Sequence, residues 1–250
     1  MGSEARPRGG CTVLIPAYNE SRTIRGVVEG VLAHADRVLV ISDGSTDGTV
    51  AQLCGLPVDI IEHRTNRGKG WRLAEGLDHA FADGADAVLT LDADGQHDPD
   101  DIPAFLEAAR AAPGALVVGD RSLDRAAMPA GRASSIGFGD FFIGWATGQR
   151  FRDAQCGMRL YPESLWRAVE LPPAECQHFV FETAVLLRAA EAGFRFARVP
   201  VKARYAGYVQ RPSHYRPALD TLRIAWAVMK FRVRRGLKPR GLLIASGLLR

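Results

Sequence analysis

The first hundred residues alternate short apolar segments with segments of helical periodicity, and this alternation limits the fold more than any other feature of the chain. The apolar segments are short and bounded by turn-forming residues, as buried strands are: residues 11–15, 37–41, 58–61 and 85–91. Between them, residues 20–34 and 70–81 repeat apolar side chains at helical spacing. This rhythm predicts an α/β protein with a doubly wound, mostly parallel sheet flanked by helices.

The same pattern continues beyond Asp101 with less regularity. We predict strands at residues 115–119 and 196–201, and helices at residues 102–112, 131–148, 162–169 and 179–192. A last amphipathic, basic helix is predicted near residues 213–235. We therefore expect one α/β domain over residues 11–210 and a basic helical tail over residues 211–250.

Composition places the chain among globular proteins. It has 250 residues, of which 47% are hydrophobic and 24% charged. No run of about eighteen apolar residues is present, so no membrane-spanning helix is expected. Residues 1–10 are polar and basic and lack the apolar core of a secretory signal. The four cysteines form no C-x-x-C pair, which is typical of reduced thiols in a cytoplasmic protein.

Charge is distributed unevenly along the chain. Residues 202–250 carry twelve Lys or Arg and one acid, a net charge of +11, which leaves 20 basic and 27 acidic residues in the rest. A tail this basic suits an anionic partner such as phosphate groups or an anionic lipid surface. The apolar face of its helix either packs on the domain or lies at a membrane interface, with Trp226 as an anchor. Aromatic signatures of RNA binding are lacking, so no nucleic acid partner is expected.

Two carboxylates, Asp92 and Asp94, follow the fourth predicted strand directly. The carboxyl ends of strands in an open α/β sheet form the crevice in which ligands bind. Carboxylate oxygens suit a hard divalent cation, and such a cation suits a pyrophosphate. The alternative is that both side chains only cap the strand and open a turn.

Other strand ends are also polar, whereas two common nucleotide motifs are missing. Residues 16–20 and 42–48 follow the first two strands. Neither G-x-G-x-x-G nor G-x-x-x-x-G-K-[ST] occurs in the chain. A nucleotide would therefore be held by acids and a metal, which argues against an NAD enzyme or a P-loop ATPase.

Several motifs in a fixed order resemble a known family. They are Ile15-Pro16-Ala17-Tyr18-Asn19-Glu20, Ser42-Asp43-Gly44-Ser45-Thr46-Asp47-Gly48-Thr49, Asn66-Arg67-Gly68-Lys69-Gly70, Asp92-Ala93-Asp94-Gly95-Gln96-His97, Gly119-Asp120-Arg121 and residues 152–161 and 179–182. Over residues 11–210 the chain resembles family 2 glycosyltransferases of the GT-A fold. Within that family it is most similar to the dolichyl- or polyprenyl-phosphate mannosyl- and glucosyltransferases. Several ordered motifs together are far more specific than any one of them.

The resemblance implies a donor site and a metal site. The donor nucleotide would contact Pro16, Tyr18, Glu20, Asp43, Lys69 and Asp92, with Asp43 accepting from the base. Asp94 would ligate Mg²⁺ or Mn²⁺ directly, with Asp92 and Gln96 contributing to that metal site. Arg121 and Arg159 would face donor or acceptor phosphate, because a guanidinium binds phosphate oxygens in a bidentate manner.

The resemblance also implies an inverting transfer of a hexose from a GDP- or UDP-sugar. A lipid phosphate acceptor is already ionised near pH 7 and needs no strong base, whereas a hydroxyl acceptor requires a carboxylate that takes its proton. Asp153 and Glu182 are the candidates, and the motif position favours Asp153. Glu182 is alternatively a solvated surface residue. A non-lipid acceptor, and more remotely nucleotidyl transfer or a non-catalytic binding module, are the competing functions.

For two further side chains the sequence leaves alternative roles open. Asp47 is expected to cap a helix that runs through Leu53 rather than to bind a ligand. His97 either ligates the metal or only shapes the turn after Gln96. The protein is expected in the cytoplasm, with peripheral attachment to the cytoplasmic face of a membrane as an option.

Overall fold

The computed structural model describes residues 9–122, 130–176, 180–202, 225–226, 228–233 and 246, and for residues 130–135 the backbone only. Seven strands form one sheet: β1 (Cys11–Ala17), β2 (Val38–Asp43), β3 (Asp59–His63), β4 (Ala87–Thr90), β5 (Leu116–Asp120), β6 (Arg159–Pro162) and β7 (Phe196–Pro200). Their order is β3-β2-β1-β4-β6-β5-β7. The predicted α/β class with a mostly parallel sheet is confirmed.

Strand β6 is the main departure from the predicted sheet. It pairs antiparallel with both β4 and β5, whereas β1, β2, β3 and β4 pair in parallel, as do β5 and β7. The strand has four residues and begins with Arg159, so its local pattern is not that of a buried strand. The strand forms because it pairs with β4 and β5, whose residues are far away in the chain.

Six helices are described between residues 24 and 191: α1 (Ile24–Leu32), α2 (Lys69–Ala82), α3 (Ile102–Ala111), α4 (Ala130–Thr147), α5 (Glu163–Ala168) and α6 (Val180–Glu191). They match the predicted helices to within a few residues. The helix predicted after Asp47 is only a short 3-10 turn, Val50–Leu53. The Asp47 carboxylate instead accepts from Thr49 and from the backbone N–H of Ser21. It therefore joins the loop after β1 to the loop after β2.

The core lies between the central strands and the helices that cover them. All six residues of β2 are buried, because β1 and β3 flank its edges and helices α1 and α2 pack on it. Helix α2 approaches β1 closely at Gly76, where a Cβ atom would lie 2.4 Å from Cδ1 of Leu14. Each fully buried aliphatic side chain, such as Leu14, contributes about 1.5–3 kcal/mol to stability. This packing fixes the start of α2 beside the carboxyl ends of β1, β2 and β4.

The described part of the C-terminal segment has both buried and exposed side chains. Residues 225–226 and 228–233 are helical, and the rest of the predicted helix lies outside the described residues. Val228 and Arg232 are buried, whereas Trp226 is 73% and Val233 69% exposed. Thus part of the predicted apolar face points away from the domain. The boundary at residue 210 also lies outside the described residues and stays a prediction.

No helix in the described part of the chain is long and apolar enough to cross a membrane.

Candidate active site

Three charged side chains from distant parts of the chain meet at the carboxyl edge of the sheet. Lys69 is the first residue of α2, Asp92 follows β4, and Glu182 lies in the first turn of α6. The Lys69 Nζ atom is 2.8 Å from Asp92 Oδ1 and 3.1 Å from Glu182 Oε1. One ammonium thus joins two carboxylates and three elements of the fold.

Electrostatics keep this cluster charged. Burial acts against the ammonium of Lys69, but the charges of Asp92 and Glu182 outweigh that cost and raise its pKa. Burial likewise would raise the pKa of Asp92, yet Lys69 and other nearby cationic groups lower it to about 2. Both groups are therefore ionised at neutral pH.

Glu182 is not a solvated surface residue, and that alternative is wrong. Its side chain is only 9% exposed, and its Oε1 atom contacts Lys69. Its second oxygen, Oε2, is buried and has no hydrogen-bond partner within the described part of the chain. A carboxylate in the first turn of a helix is favoured by the positive end of the helix dipole. Glu182 is therefore one of the predicted residues that the structure does bring to Asp92.

The residues predicted to bind metal all lie in the loop after β4. Asp92, Asp94 and Gln96 are half-buried, and they alternate with the buried Ala93, Gly95 and His97. The Asp94 Oδ1 atom accepts from the backbone N–H of Gln96 at 3.0 Å, which holds the turn.

This donor set fits a hard divalent cation. Two carboxylates and an amide provide the oxygen ligands that Mg²⁺ and Mn²⁺ prefer. Among the residues that the structure describes, no group of three or more His, Cys, Asp and Glu side chains is placed to hold a metal. A Mg²⁺ site of one or two carboxylates completed by substrate phosphates does not require such a group.

His97 follows Gln96 in this loop and is buried. Its Nδ1 atom has no hydrogen-bond partner among the described residues. Burial lowers the pKa of His97 to about 4, and the nearby Arg121 and Lys69 contribute to that fall while Asp92 opposes it. The ring is therefore neutral at pH 7. Its two predicted roles, metal ligand or turn residue, both stay predictions.

Asp43, predicted to accept from the base, also accepts hydrogen bonds from the protein itself. It is buried, and its carboxylate accepts from the backbone N–H groups of Arg67 and Gly68 at 2.9 and 2.8 Å. The Nε atom of Arg72, also buried, donates to it at 2.6 Å. Asp43 therefore holds the loop that precedes Lys69, and its predicted contact with a base stays a prediction.

The loop after β1 carries the other predicted donor contacts. Tyr18 is exposed, whereas Pro16 and Glu20 are half-buried. The backbone N–H of Glu20 donates to Oγ1 of Thr49, which ties this loop to the one after β2. Asn19 has a left-handed φ of 55° and accepts from the backbone of the second loop, which reinforces the junction. Hydrogen bonds thus join the two loops to each other.

Arg121 and Asp153 form a buried ion pair. Arg121 donates through Nε and Nη2 to both oxygens of Asp153, at 2.6 and 2.9 Å, and its backbone N–H donates at 3.1 Å. The Asp153 side chain is 1% exposed. A carboxylate engaged in this way is a poor general base, so the geometry does not favour Asp153 in that role.

The position of Arg159 contradicts the expectation that this residue faces a phosphate. It is fully buried, and its guanidinium donates to the backbone carbonyls of Ala154, Cys156 and Glu182 at 2.7 to 2.8 Å. Its charge therefore holds the 154–156 turn against α6. A resemblance of motif could not reveal this, because it depends on where the turn and the helix meet.

Gly157 is a site residue for which no role was predicted. A Cβ atom at this position would lie 2.7 Å from Asp92 Oδ2. Glycine therefore allows the Asp92 carboxylate to pack against the backbone that leads into β6. The available signal was the glycine inside the motif of residues 152–161.

Comparison with known proteins agrees with this arrangement. Residues 12–154 match the family model described as glycosyl transferase family 2. The undecaprenyl-phosphate mannosyltransferase of Micrococcus luteus is 30% identical over 199 residues, covering 75% of this chain and 81% of the relative. A UDP-N-acetylglucosamine–dolichyl-phosphate N-acetylglucosaminyltransferase of Methanococcus voltae is 30% identical over 222 residues, covering 78% and 86%.

A solved structure shares the fold. Glucosyl-3-phosphoglycerate synthase from Mycobacterium tuberculosis, in complex with Mn²⁺, UDP and phosphoglyceric acid, superposes with a TM-score of 0.67 at 21% identity. The match covers 91% of this chain and 79% of that one. The order of strands, the acidic loop after β4 and the family match lead to one conclusion: this chain belongs to glycosyl transferase family 2 and is a glycosyltransferase with the GT-A fold.

Proposed function

We propose that this enzyme transfers a hexose from a GDP- or UDP-sugar to a polyprenyl phosphate, with inversion at the anomeric carbon. The observation that carries the proposal is the half-buried row of Asp92, Asp94 and Gln96 at the carboxyl edge of β4. It occurs in a chain whose relatives are named for transfer to undecaprenyl and dolichyl phosphate.

The donor half of the site follows from these oxygen ligands. Asp94, with Asp92 and Gln96, would hold Mg²⁺ or Mn²⁺, as the Mn²⁺ and UDP named for the related complex support. Such a cation, when bound, neutralises the leaving diphosphate. Tyr18, Pro16 and Glu20 would border the nucleotide, and Lys69 would add positive charge beside it.

The acceptor half of the site favours an acceptor group that is already ionised. A hydroxyl acceptor would need a carboxylate to take its proton. Both candidates accept from cations, Asp153 from Arg121 and Glu182 from Lys69. A phosphate needs no such base, so this arrangement supports a lipid phosphate over a hydroxyl acceptor.

The test is a transfer assay with and without the lipid. The protein is incubated with Mn²⁺, radiolabelled GDP- or UDP-hexose and a polyprenyl phosphate, and lipid-linked sugar is extracted. We expect transfer with one nucleotide, no transfer without lipid phosphate, and loss of transfer in Asp94→Asn. The exposed Asp36, changed to Asn, is the matched control and should stay active. Undiminished sugar transfer without the lipid would contradict the proposed acceptor.

We also propose that the basic tail attaches the enzyme peripherally to an anionic membrane at its cytoplasmic face. The described helical residues expose Trp226, Met229 and Val233 at helical spacing, with the exposed Lys230 beside them. Apolar side chains with an aromatic anchor and surrounding positive charge suit a lipid interface. The net charge of +11 over residues 202–250 supports the same surface.

Co-sedimentation with vesicles tests this attachment. We expect binding to vesicles that contain phosphatidylglycerol, weaker binding to phosphatidylcholine alone, and weaker binding at high salt. Trp226→Ala with Val233→Ser should reduce binding. The control Ile60→Thr removes an apolar side chain of β3 that is 39% exposed, and it should not reduce binding. Equal binding by both variants would contradict the proposed surface.

A further inference from the structure

Lys69 and the proposed divalent cation would compete for the carboxylate of Asp92. Its ammonium contacts Asp92 Oδ1 at 2.8 Å, and Asp92 is also one of the residues proposed to hold the divalent metal. An oxygen that accepts from an ammonium at this distance is engaged. Two positive charges near one carboxylate also repel each other.

Glu182 offers the ammonium a second position. Its Oε1 atom already contacts Lys69 at 3.1 Å, and its buried Oε2 atom has no partner among the described residues. A lysine side chain is long and flexible, with three donors on its ammonium. The ammonium is therefore able to leave Asp92 while it keeps, or strengthens, its contact with Glu182.

We propose that Lys69 is an exchangeable counter-ion of the donor site. When no divalent cation is bound, Lys69 balances the charges of Asp92 and Glu182. When a divalent cation binds, the Lys69 ammonium leaves the Asp92 carboxylate and keeps its contact with Glu182. This inference rests on the proposed metal at Asp92, Asp94 and Gln96, and it makes Lys69 a positioning residue that sets how tightly the metal binds before the nucleotide arrives.

Titration of the full chain with Mn²⁺ alone, followed by electron paramagnetic resonance of free Mn²⁺, tests the competition. Lys69→Met should bind Mn²⁺ about tenfold more tightly than the wild type, because the competing charge is gone. Lys69→Arg keeps the charge and should stay near the wild type. Arg110→Met removes an exposed cation from the last turn of α3 and should leave the affinity unchanged.

Glu182→Gln should change the affinity in the opposite direction. Without its second carboxylate, Lys69 depends more on Asp92, so Mn²⁺ should bind more weakly than to the wild type. Asp94→Asn in the Lys69→Met background should abolish the gain, because the metal would need Asp94. A gain that persists there would place the Mn²⁺ elsewhere and overturn the proposal.

Thermal melting gives a second measurement that does not depend on activity. Lys69→Met leaves two carboxylates without their shared cation, so its Tm should fall below that of the wild type and Mn²⁺ should restore most of the loss. If the variant folds only when Mn²⁺ is present, that result also supports the proposal.

The outcomes separate this inference from the proposed function. If the wild type binds Mn²⁺ and Lys69→Met binds it no more tightly, the exchange is refuted while the metal site stands. If no variant and no wild type binds Mn²⁺ even with a nucleotide sugar, the proposed metal-dependent function fails.

Discussion

The guanidinium of Arg121 holds the carboxylate of Asp153 across 32 residues of chain, through two side-chain hydrogen bonds of 2.6 and 2.9 Å and one backbone bond of 3.1 Å. Both residues are buried. The pair fixes the end of β5 to the segment that leads into β6, and so it supports the backbone behind Asp92.

Removing one partner of this pair should destabilise the fold. Asp153→Asn or Arg121→Met leaves a buried group without its partner, and the free energy of unfolding should fall by about 3 kcal/mol or more. Urea denaturation measures the loss. Glu29→Gln removes the exposed i,i+4 pair with Arg25 and should cost less than about 1 kcal/mol. If Asp153→Asn keeps full stability but loses transfer, Asp153 is the base that its motif position suggested.

Adding one methyl group at Gly157 should impair donor binding more than stability. In Gly157→Ala the new Cβ atom would lie 2.7 Å from Asp92 Oδ2, so the carboxylate must shift. A misplaced ligand of this kind should lower kcat/KM by about tenfold or more.

The matched control for that variant is Gly137→Ala in α4. A Cβ atom there meets no atom of the described residues within 4 Å, and alanine favours the helix, so activity should persist and stability should rise slightly. Steady-state kinetics and thermal melting measure both variants. Equal kinetics for the two would show that Asp92 tolerates a side chain at position 157.

Asp47 should make stability depend on pH in acid. Burial opposes its charge, but hydrogen bonds from Thr49 and Ser21 lower the pKa of Asp47 from 3.8 to about 2. A depressed pKa stabilises the folded state above about pH 4, and that contribution is lost as the pH falls toward 2. Because Asp47 is exposed, the effect should be no more than about 1 kcal/mol.

Urea denaturation at several pH values compares the wild type with Asp47→Asn. The variant should be less stable near pH 6, and the difference should shrink as the pH falls from 4 to 2. Thr49→Val removes one of the donors and should reduce the pH dependence without abolishing it. A difference that is the same at pH 6 and pH 2.5 would contradict this role of Asp47.

The reactivity of the cysteine thiols should reflect how deeply each thiol is buried. Burial raises the pKa of the Cys156 thiol and of the Cys11 thiol to about 12, so neither forms thiolate readily at pH 8. Cys54 is exposed. An Ellman assay on the native protein should show one fast thiol, which Cys54→Ala removes, and four thiols after unfolding in guanidinium. Fast reaction of Cys156 in the native protein would contradict its buried position.

Much of the fold was predictable from local pattern. Six of the seven strands and all six described helices were expected near their observed positions, because apolar periodicity and turn residues are local features. The acidic loop after β4 was predictable for the same reason, since strand ends converge in an α/β sheet. The short 3-10 turn after Asp47 was missed because hydrogen bonds to Ser21, in another loop, replaced the predicted cap.

The environment of each charged side chain was less predictable. Arg159 was expected at a phosphate, yet three backbone carbonyls surround it. For Asp43 a contact with the base was expected, and the sequence did not reveal that it also accepts from Arg72 and from the loop before Lys69. A motif states which residue types occur together, but a guanidinium or carboxylate binds whichever partner the packing brings near.

The sequence by itself determined the α/β class, the family and the position of Asp92 and Asp94 at a strand end, because these follow from local periodicity and from the order of motifs. Only the tertiary structure decided that β6 pairs antiparallel between β4 and β5, and that Lys69 joins Asp92 to Glu182. Those contacts join residues that are distant in the chain. They depend on how the sheet and α6 pack, and no local pattern encodes that packing.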